Sequence, residues 1–442
     1  MGAIGDQLWW SRVTAEEQTR LLRYRMAWEA YFGQLPDPLA KSKSDPRGQD
    51  NIKINFLRVV VDKGVAQLFG QEPIFELDET STTPAETWLE ECWRANHKMQ
   101  MLQKIAINGG VCGHAFAKVV PPRQGERYPR VINLSPEYVT VVTEPDDIER
   151  VTLYLIEFPA RAEDGAQLTI RQRIEREGQR WRIVDQRARG DRAFETVADT
   201  PWPYAWPPIV DCQNLPSPNE YYGLADIEED IIHLNGSLGF VLSNMARIVR
   251  HHAHPKTWAK GVQATEIKTA VDEMIVLNSP EAELHNLEME SDLASSLALY
   301  ERLKEALHEM TRIPEVAVGK LDRTGSLSGV ALQILYRPLT EKTEAKRRTY
   351  GEMLTELNRR LLALGGYGEE QWTTIHWPQL LPSDPLQERQ VALIDQQLGV
   401  SADTLLSQLG YDAAQEAQKR EVEDRALGES ALTAWEQSAS EP

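Results

Sequence analysis

Residues 224–248, LADIEEDIIHLNGSLGFVLSNMARI, form the stretch that decides the fold of this chain. Large apolar side chains recur in it at steps of three and four residues, over about seven helical turns. These side chains are Leu224, Ile227, Ile231, Leu234, Leu238, Val241, Met245 and Ile248. A second stripe of this kind ends at Pro314 and comprises Leu293, Leu297, Tyr300, Leu303, Leu307, Met310 and Ile313. The sequence therefore predicts two long helices with narrow apolar stripes, separated by an insert over residues 251–290.

Two arrangements suit such a helix pair. Narrow apolar stripes fit two core helices of an ordinary bundle. The insert, however, contains strand-like segments at 255–258 and 274–277. Two helices of matched length around a small β-containing insert therefore also fit an antiparallel stalk with a tip. Both arrangements stay open at this point.

The segment before the two stripes predicts an α+β domain with a sheet-rich centre. Helical spacing of apolar residues is found at 14–32, 52–68 and 84–109. Alternating apolar residues predict strands at 73–77, 114–120, 138–142, 151–158, 168–175 and 180–185. A cluster of Pro and Trp at 201–208 interrupts regular structure, and the pattern changes near residue 220.

The segment after the two stripes predicts a loop followed by further helices. Glycines and small side chains at 315–329 are typical of a flexible loop. A long charged helix is expected over 330–364, with a kink at Pro338 and an end at Gly365-Gly366. A strand is expected at 372–377, acidic helices from 384 onward, and a disordered tail over 431–442. The fold class predicted for the whole chain is α+β, predominantly helical.

Composition indicates an acidic protein of several substructures. The chain has 442 residues, a formal net charge of −19, and 41% hydrophobic residues. Its three cysteines, Cys92, Cys112 and Cys212, are widely spaced, which favours a reducing compartment over a disulfide framework. The N-terminus lacks an apolar signal region and no apolar run reaches the length of a membrane span, so secretion and membrane insertion are not expected. The negative charge alone favours an acidic soluble protein over one that grips DNA.

Motifs for enzymatic chemistry fail one by one. A phosphate-binding loop needs Ser or Thr after Gly319-Lys320, but Leu321 stands there. A zinc-protease motif that begins at His308-Glu309 has Arg312 in place of its second histidine. The histidines at 251, 252 and 254 could bind a metal, although a polar, partly basic surface at a helix end explains them better. The sequence therefore predicts no enzyme, no cofactor and no metal site.

The order of several short motifs resembles the portal proteins of tailed double-stranded-DNA bacteriophages, especially those of long-tailed phages of Gram-positive hosts. The motifs are NIKIN at 51–55, LFGQEP at 68–73, INGGVCGHAF at 107–116, NLP at 214–216 with YG at 222–223 and DIE at 226–228, IP at 313–314 with SGVAL at 328–332, and LGVS at 398–401 with LG at 409–410. Each motif is weak alone, but their order along most of the chain is fairly specific.

The resemblance implies a portal fold with named parts. These are an α+β wing over 1–222, a first stem helix over 223–250, a clip over 251–290, a second stem helix over 291–313, a tunnel loop over 314–329, a long helix returning to the wing over 330–384, and a helical crown over 385–430. It implies that the tunnel loop reaches towards DNA at the narrowest point of the channel. In this loop Lys320 and Arg323 would touch phosphates transiently, or Val318, Leu321 and Leu327 would instead offer apolar contacts for sliding, and both alternatives stay open. It also implies that the clip region meets partner proteins through Arg247, Arg250, His251, His252, His254 and Lys256.

The resemblance further implies a passive ring, with twelve subunits expected, at the unique vertex of the capsid. DNA would pass through it without sequence specificity during packaging and ejection, and an acidic channel would keep the DNA sliding. The implied partners are other copies of the chain, the large terminase subunit, a head–tail adaptor, and the major capsid and scaffolding proteins. The implied location is the virion, with assembly in the host cytoplasm. Competing hypotheses are a non-viral helical scaffold and a divergent phage nuclease or protease.

Overall fold

The computed structural model describes residues 2–41, 48, 50–77, 83–162, 164–190, 192–253, 257–260, 283–286, 293–319, 329–381, 385–408 and 416–420. The chain divides into two compact units. The first unit comprises Met1–Arg323 and Leu335–Pro378, and the second comprises Thr324–Ile334 and Gln379–Pro442.

The first unit begins with four helices and a short strand. The helices are α1 (Gly2–Tyr31), α2 (Phe56–Phe69), α3 (Pro84–Ala95) and α4 (Lys98–Cys112), and the strand is β1 (Ile74–Glu76). The expectation of one helix over 84–109 is therefore wrong, because the helix is interrupted at Asn96 and His97. The Asn96 side chain bonds instead to the segment that leads into β3. Its Nδ2 donates to the Pro129 carbonyl, and its Oδ1 accepts from the Val131 N–H. His97 then takes the left-handed conformation, with φ of 53°, and redirects the chain into α4.

Two antiparallel sheets follow the four helices. One has the order β3-β2-β9, from β2 (His114–Val120), β3 (Arg130–Leu134) and β9 (Ile209–Gln213). The other is a five-stranded meander of β4 (Val139–Glu144), β5 (Asp147–Arg161), β6 (Gln167–Glu177), β7 (Arg180–Arg189) and β8 (Glu195–Trp202). Strands β3, β8 and β9 are not predicted by the sequence pattern. Pro201 indicates an interruption of regular structure, but β8 lies at the edge of its sheet, where a strand can accommodate a proline without losing a ladder hydrogen bond.

A helical hairpin with a β-structured insert makes up the next part of the first unit. Helix α5 (Glu229–Ala253) leads to β10 (Thr257–Lys260), which pairs antiparallel with β11 (Glu283–Asn286). Helix α6 (Leu293–Thr311) then packs against α5. A 3₁₀ turn at Glu315–Val318 follows, and α7 (Gly329–Leu364) continues as one helix past Pro338. Strand β12 (Thr374–His376) finally pairs with β1.

The helical hairpin differs from the sequence analysis at its start and in its packing. Leu224 and Ile227 precede α5, and Leu224 instead forms a β-bridge with Leu215. Several apolar side chains of the hairpin remain exposed, including Phe240 on α5 and Leu297 on α6. Other apolar side chains of the same two helices, such as Leu238 and Leu307, are buried, so the stalk and the core bundle both stay predictions. The predicted strand at 274–277 lies outside the described residues.

The core of the first unit is formed by α2, α4, β2 and the second half of α7. Its largest fully buried side chains include Trp93, Tyr350, Phe69 and Phe116. Glycine is required where α4 meets α7, because a Cβ on Gly109 would lie 1.9 Å from the Tyr350 Oη. The core therefore fixes α7 against the helices and strands of the N-terminal half.

The second unit contains α8 (Pro385–Gln397) and α9 (Ala402–Gln408). The Ser401 Oγ accepts a hydrogen bond from the Thr404 N–H at 3.4 Å, as expected for the residue that caps a helix. The tail predicted at 431–442 lies outside the described residues.

Candidate functional site

The candidate site is the helical stalk, which consists of α5, α6 and the β10–β11 hairpin, together with the base on which it rests. Arg247 and Arg250, predicted to face partner proteins, lie in the last two turns of α5. Both side chains contact the Oδ2 of Asp50, at 3.3 Å from Arg247 and 2.7 Å from Arg250. The Asp50 side chain is only 5% exposed, so this ion pair fixes the polar loop before α2 to the stalk.

The histidines predicted for the same region are only partly described. His251 and His252 belong to the last turn of α5, while His254 and Lys256 lie outside the described residues. In the predicted tunnel loop, Val318 is the last residue of the 3₁₀ turn and is 39% exposed. Lys320, Leu321, Arg323 and Leu327 lie outside the described residues. The structure thus places four of the predicted clip residues at one end of α5, and Val318 in the turn that follows α6.

A cluster of polar side chains connects the end of α6 with this turn. The Glu315 Oε1 lies 2.8 Å from the Lys304 Nζ and 3.8 Å from the His308 Nε2. The His308 Nδ1 lies 2.8 Å from the Ile313 carbonyl oxygen, to which it donates. Arg312 has a φ of 59°, the left-handed conformation in which the chain leaves the helix. The turn is therefore attached to α6 by side chains as well as by the backbone.

A buried ionic cluster lies at the base of the stalk. The Asp226 Oδ1 is 2.9 Å from the Lys342 Nζ, and its Oδ2 is 2.5 Å from the Lys346 Nζ. The three side chains are 0%, 6% and 3% exposed, respectively. Lys342 also donates to the Thr311 carbonyl at 3.0 Å. One cluster therefore joins the segment before α5, the end of α6 and the middle of α7.

The charges of this cluster stabilise one another. Burial raises the pKa of the Asp226 carboxyl, but Lys342 and Lys346 outweigh burial and lower it to about 2. Burial lowers the pKa of the Lys346 ammonium, and Asp226 opposes that effect. Buried charges of opposite sign at this distance are costly to separate, because either one alone would lack solvation.

Two glycines make room for the Asp226 carboxylate. A Cβ on Gly110 would lie 2.9 Å from the Asp226 Oδ2, and a Cβ on Gly64 would lie 3.2 Å from it. The Asp226 N–H also donates to the Gly110 carbonyl at 2.8 Å. Helices α2 and α4 therefore pack directly against the ionic cluster, and larger residues at either glycine would displace it.

Asp226 belongs to one of the motifs that indicate the portal family, whereas Lys342 and Lys346 belong to none of them. Both lysines belong to a helix segment with many charged residues, where lysine normally faces solvent. Their spacing of four residues places them on one face of α7, and Leu339 and Tyr350 on that helix are buried. This spacing beside buried positions could have indicated that the two lysines are buried, but it does not identify Asp226 as their partner.

A second buried polar cluster lies between the two sheets and the start of the stalk. The Asp211 carboxylate accepts hydrogen bonds from the Tyr154 and Tyr221 hydroxyls and faces the His114 Nε2 at 2.8 Å. Burial raises the pKa of Asp211, but the bonds from His114, Tyr221 and Tyr154 outweigh burial and hold it below its ordinary value. The His114 ring also stacks on Tyr221, with centroids 5.1 Å apart. These groups are enclosed, so their arrangement suits structural support.

The described residues give two further findings about possible sites. No group of three or more His, Cys, Asp or Glu side chains among them is placed to hold a metal ion. None of the helices in this part of the chain is both long and apolar enough to cross a membrane.

Comparisons with known proteins agree with this architecture. The family model for phage portal protein of the SPP1 Gp6-like type matches residues 11–429. A chain in the neck of an empty GTA particle, computed with C6 symmetry, has 14% sequence identity and a TM-score of 0.50, and the match covers 80% of this chain and 89% of that one. This likeness concerns the fold alone.

Two other solved structures are similar at a lower TM-score. A chain in the neck of a native GTA particle, computed with C12 symmetry, has 13% identity and a TM-score of 0.49, with coverage of 80% of this chain and 88% of that one. A chain in the virion of a native gene transfer agent particle has 14% identity and a TM-score of 0.48, with coverage of 80% and 89%. No curated protein sequence matches the chain. Because the family model spans nearly the whole sequence, the chain belongs to the SPP1 Gp6-like family of phage portal proteins and is a portal subunit of the capsid vertex.

Proposed function

We propose that this portal subunit assembles into a closed ring that surrounds double-stranded DNA and acts as a passive channel for packaging and ejection. The observation that carries the proposal is the family match over residues 11–429. The stalk of α5 and α6 supports it, because apolar side chains such as Phe240 and Leu297 are exposed along both helices and suit contacts with neighbouring copies. The net charge of −19 suits a channel that must not bind phosphates tightly.

The proposed ring contains twelve subunits and needs other proteins for energy and attachment. The large terminase subunit would supply the work of packaging, and a head–tail adaptor, the major capsid protein and scaffolding protein would complete the vertex. We place the chain in the virion, with assembly in the host cytoplasm and no enzymatic activity of its own.

The mass of the purified protein tests the ring. Twelve copies of a 50.1 kDa chain give a particle of about 600 kDa in mass photometry or native mass spectrometry. A stable monomer or dimer at all concentrations would contradict the ring and would favour a helical scaffold protein. Cleavage of DNA or of a capsid protein by the purified chain, dependent on an added metal, would contradict a passive role.

The segment at 314–329 is the proposed tunnel loop, with Val318, Lys320, Leu321, Arg323 and Leu327 as its DNA-facing side chains. Deletion of 317–327 should leave ring assembly intact and impair DNA packaging or retention. The mass of the ring is measured first, and packaged DNA is then measured by nuclease protection. Loss of ring assembly in the deletion variant would contradict this placement of the loop.

The end of α5 is the proposed docking region for the terminase or the adaptor. Reversing the charge of Arg247 and Arg250 should weaken terminase binding, but it also breaks their ion pair with Asp50. Asp50→Asn is the matched control, because it disrupts the same ion pair and keeps both arginines. We expect terminase affinity to fall with the charge reversal and to persist in Asp50→Asn. Equal loss in both variants would assign the arginines a structural role only.

A further inference from the structure

An open groove with a volume of about 790 Å³ lies between the last turns of α1 and the first half of α5. Its walls include the half-buried side chains of Leu35, Ile54 and Ile232, and Phe240, which is 50% exposed. Gly236 lies in the middle of the α5 wall, and a Cβ added to it would meet no atom within 4 Å. The groove therefore offers an apolar surface and room for another helix beside Gly236.

The charged side chains of the groove leave one carboxylate uncompensated. Asp37 pairs with Lys53 at 2.9 Å, and the His233 Nε2 lies 3.5 Å from the Glu229 Oε1. The Glu29 carboxylate, on the α1 side, forms no ion pair or hydrogen bond with any part of the chain that the structure describes. A negative charge beside an apolar surface suits an occupant that presents apolar side chains next to a cation.

Helix α6 presents a ridge with these properties. Leu299 and Met310 are 51% and 48% exposed, and Ala306 lies between them on the same face of the helix. Eleven residues separate Leu299 from Met310, so the ridge is about 16 Å long. Arg302 lies beside the ridge with a side chain that is 82% exposed, and its ion pair with Glu305 is exposed too. The ridge thus combines apolar side chains with an accessible cation.

We propose that the groove of one subunit receives the α6 ridge of the neighbouring subunit and that this contact closes the ring. The proposal rests on the proposed function, because it takes the ring as given. Rotational symmetry brings one flank of each subunit against the other flank of the next, so a ring needs two different, complementary surfaces on every copy. The groove and the ridge are two such surfaces.

The two surfaces match in size and in charge. Ala306 approaches Gly236, since neither residue has a large side chain, and the helices come close at this point. Leu299 and Met310 then fill the groove on either side of Gly236. Arg302 reaches the Glu29 carboxylate, which gains a partner that its own subunit does not supply.

Cysteine cross-linking of the assembled particle tests the contact. All three native cysteines are buried, so Gly236→Cys and Ala306→Cys together supply the accessible thiols. After oxidation with copper phenanthroline, a non-reducing gel should show a ladder of linked chains, and each single variant should stay at the mass of one chain. Gly236→Cys with Val197→Cys is the matched control, because Val197 is 58% exposed on β8 and lies outside the ridge, and it should not cross-link. Covalent dimers from a single variant would overturn the proposal, because they indicate a contact between identical surfaces.

Two substitutions at Gly236 test whether the groove must stay open. Gly236→Trp fills the space beside α5, so the fraction of protein in rings at a fixed concentration should fall about ten-fold or more, because burial of a Leu or Met side chain is worth at least that factor. Gly236→Ala adds one methyl group and should keep the rings. The far-ultraviolet circular dichroism of both variants should equal that of the parent, since a Cβ at this position meets no atom of the subunit. Parental rings in Gly236→Trp would overturn the proposal, and if Gly236→Trp does not fold, the cross-linking result decides.

A charge exchange tests the pairing of Arg302 with Glu29. Glu29→Arg and Arg302→Glu should each lower the ring fraction by about two-fold to five-fold, the range of an exposed ion pair, and the combination should recover it. Glu90→Arg is the matched control, because it reverses an exposed glutamate of α3 that does not line the groove, and it should behave like the parent. A combined variant that assembles no better than the single variants would overturn this placement of the ridge.

The outcomes separate this contact from the proposed function. Rings of parental mass whose double-cysteine variant does not cross-link would overturn the groove contact and leave the channel function standing. Cross-links from the groove that form only with added terminase or adaptor protein would overturn a second copy as the occupant. Absence of rings in the parent protein would instead contradict the proposed function.

Discussion

Asp226→Asn is the substitution that most directly tests the buried ionic cluster. Asparagine has the shape of aspartate and fits beside Gly64 and Gly110, so the change removes charge without adding volume. It leaves two lysines, Lys342 and Lys346, with side chains only 6% and 3% exposed and no carboxylate between them. Removing one partner of a buried ion pair typically costs about 3–5 kcal/mol.

The acidity of Asp226 gives a second measure of the same interaction. Its pKa falls from 3.8 to about 2, and this shift corresponds to about 2 kcal/mol of stability. Because the folded-state pKa is lowered, this stability is present above pH 4 and is lost as the pH falls towards 2. The unfolding entropy of a 442-residue chain is about 0.9 kcal/mol/K. Divided by this entropy, a loss of about 3–5 kcal/mol in the free energy of unfolding lowers the melting temperature by about 3–5 °C at pH 7.

The assay is thermal unfolding by circular dichroism at one fixed protein concentration, since ring assembly makes melting temperatures concentration-dependent. The difference between parent and variant should shrink between pH 4 and pH 2, where the parent carboxyl becomes protonated. Asp37→Asn is the control, because it removes an exposed ion pair with Lys53 and should cost less than about 1 kcal/mol. Adding Lys346→Met to Asp226→Asn should recover part of the loss. A melting temperature within 1 °C of the parent in Asp226→Asn would refute the argument.

Three other substitutions test the packing around this cluster and the core, each by the same melting assay. Gly110→Ala would place a Cβ 2.9 Å from the Asp226 Oδ2, so it should destabilise the chain by about 1–3 kcal/mol. An unchanged melting temperature would show that α4 packs less closely against the ionic cluster. Trp93→Phe removes the buried N–H that donates to the Asn358 Oδ1 at 2.7 Å, and the unpaired oxygen should cost about 1–3 kcal/mol. Asp211→Asn should lower the free energy of unfolding by on the order of 3 kcal/mol at pH 7. Because the pKa of the Asp211 carboxyl is lowered in the folded parent, the difference in stability between parent and variant should shrink in acid. A difference that does not change with pH would contradict an ionised Asp211.

Parts of the fold could be predicted from local sequence because local spacing specifies them. The strand expected at 114–120 agrees with β2, and the helix expected over 330–364 agrees with α7. The break in the helix expected over 84–109 could not be predicted, since it depends on Asn96 bonding to residues more than thirty positions away. Strand β8 was missed for a related reason. A proline is compatible with a strand only at a sheet edge, and the edge is defined by strands elsewhere in the chain.

The candidate site also has some features that could be predicted from the sequence and others that could not. Spacing alone identified the stalk helices, and the ordered motifs indicated the portal family that the match over residues 11–429 then showed. Arg247 and Arg250 were recognised as cations, but their ion pair with Asp50 joins residues nearly two hundred positions apart and is visible only in the folded chain.

The sequence by itself thus determined many of the periodic elements of this protein, their order along the chain, its acidic charge and its family. Only the tertiary structure decided which charged residues are buried and with which partners. Asp226 and Lys346 are 120 positions apart, yet their side-chain atoms lie 2.5 Å from each other. The physical reason is that helical and strand periodicity are properties of neighbouring residues, whereas the stability of a buried charge depends on a partner that folding brings to it.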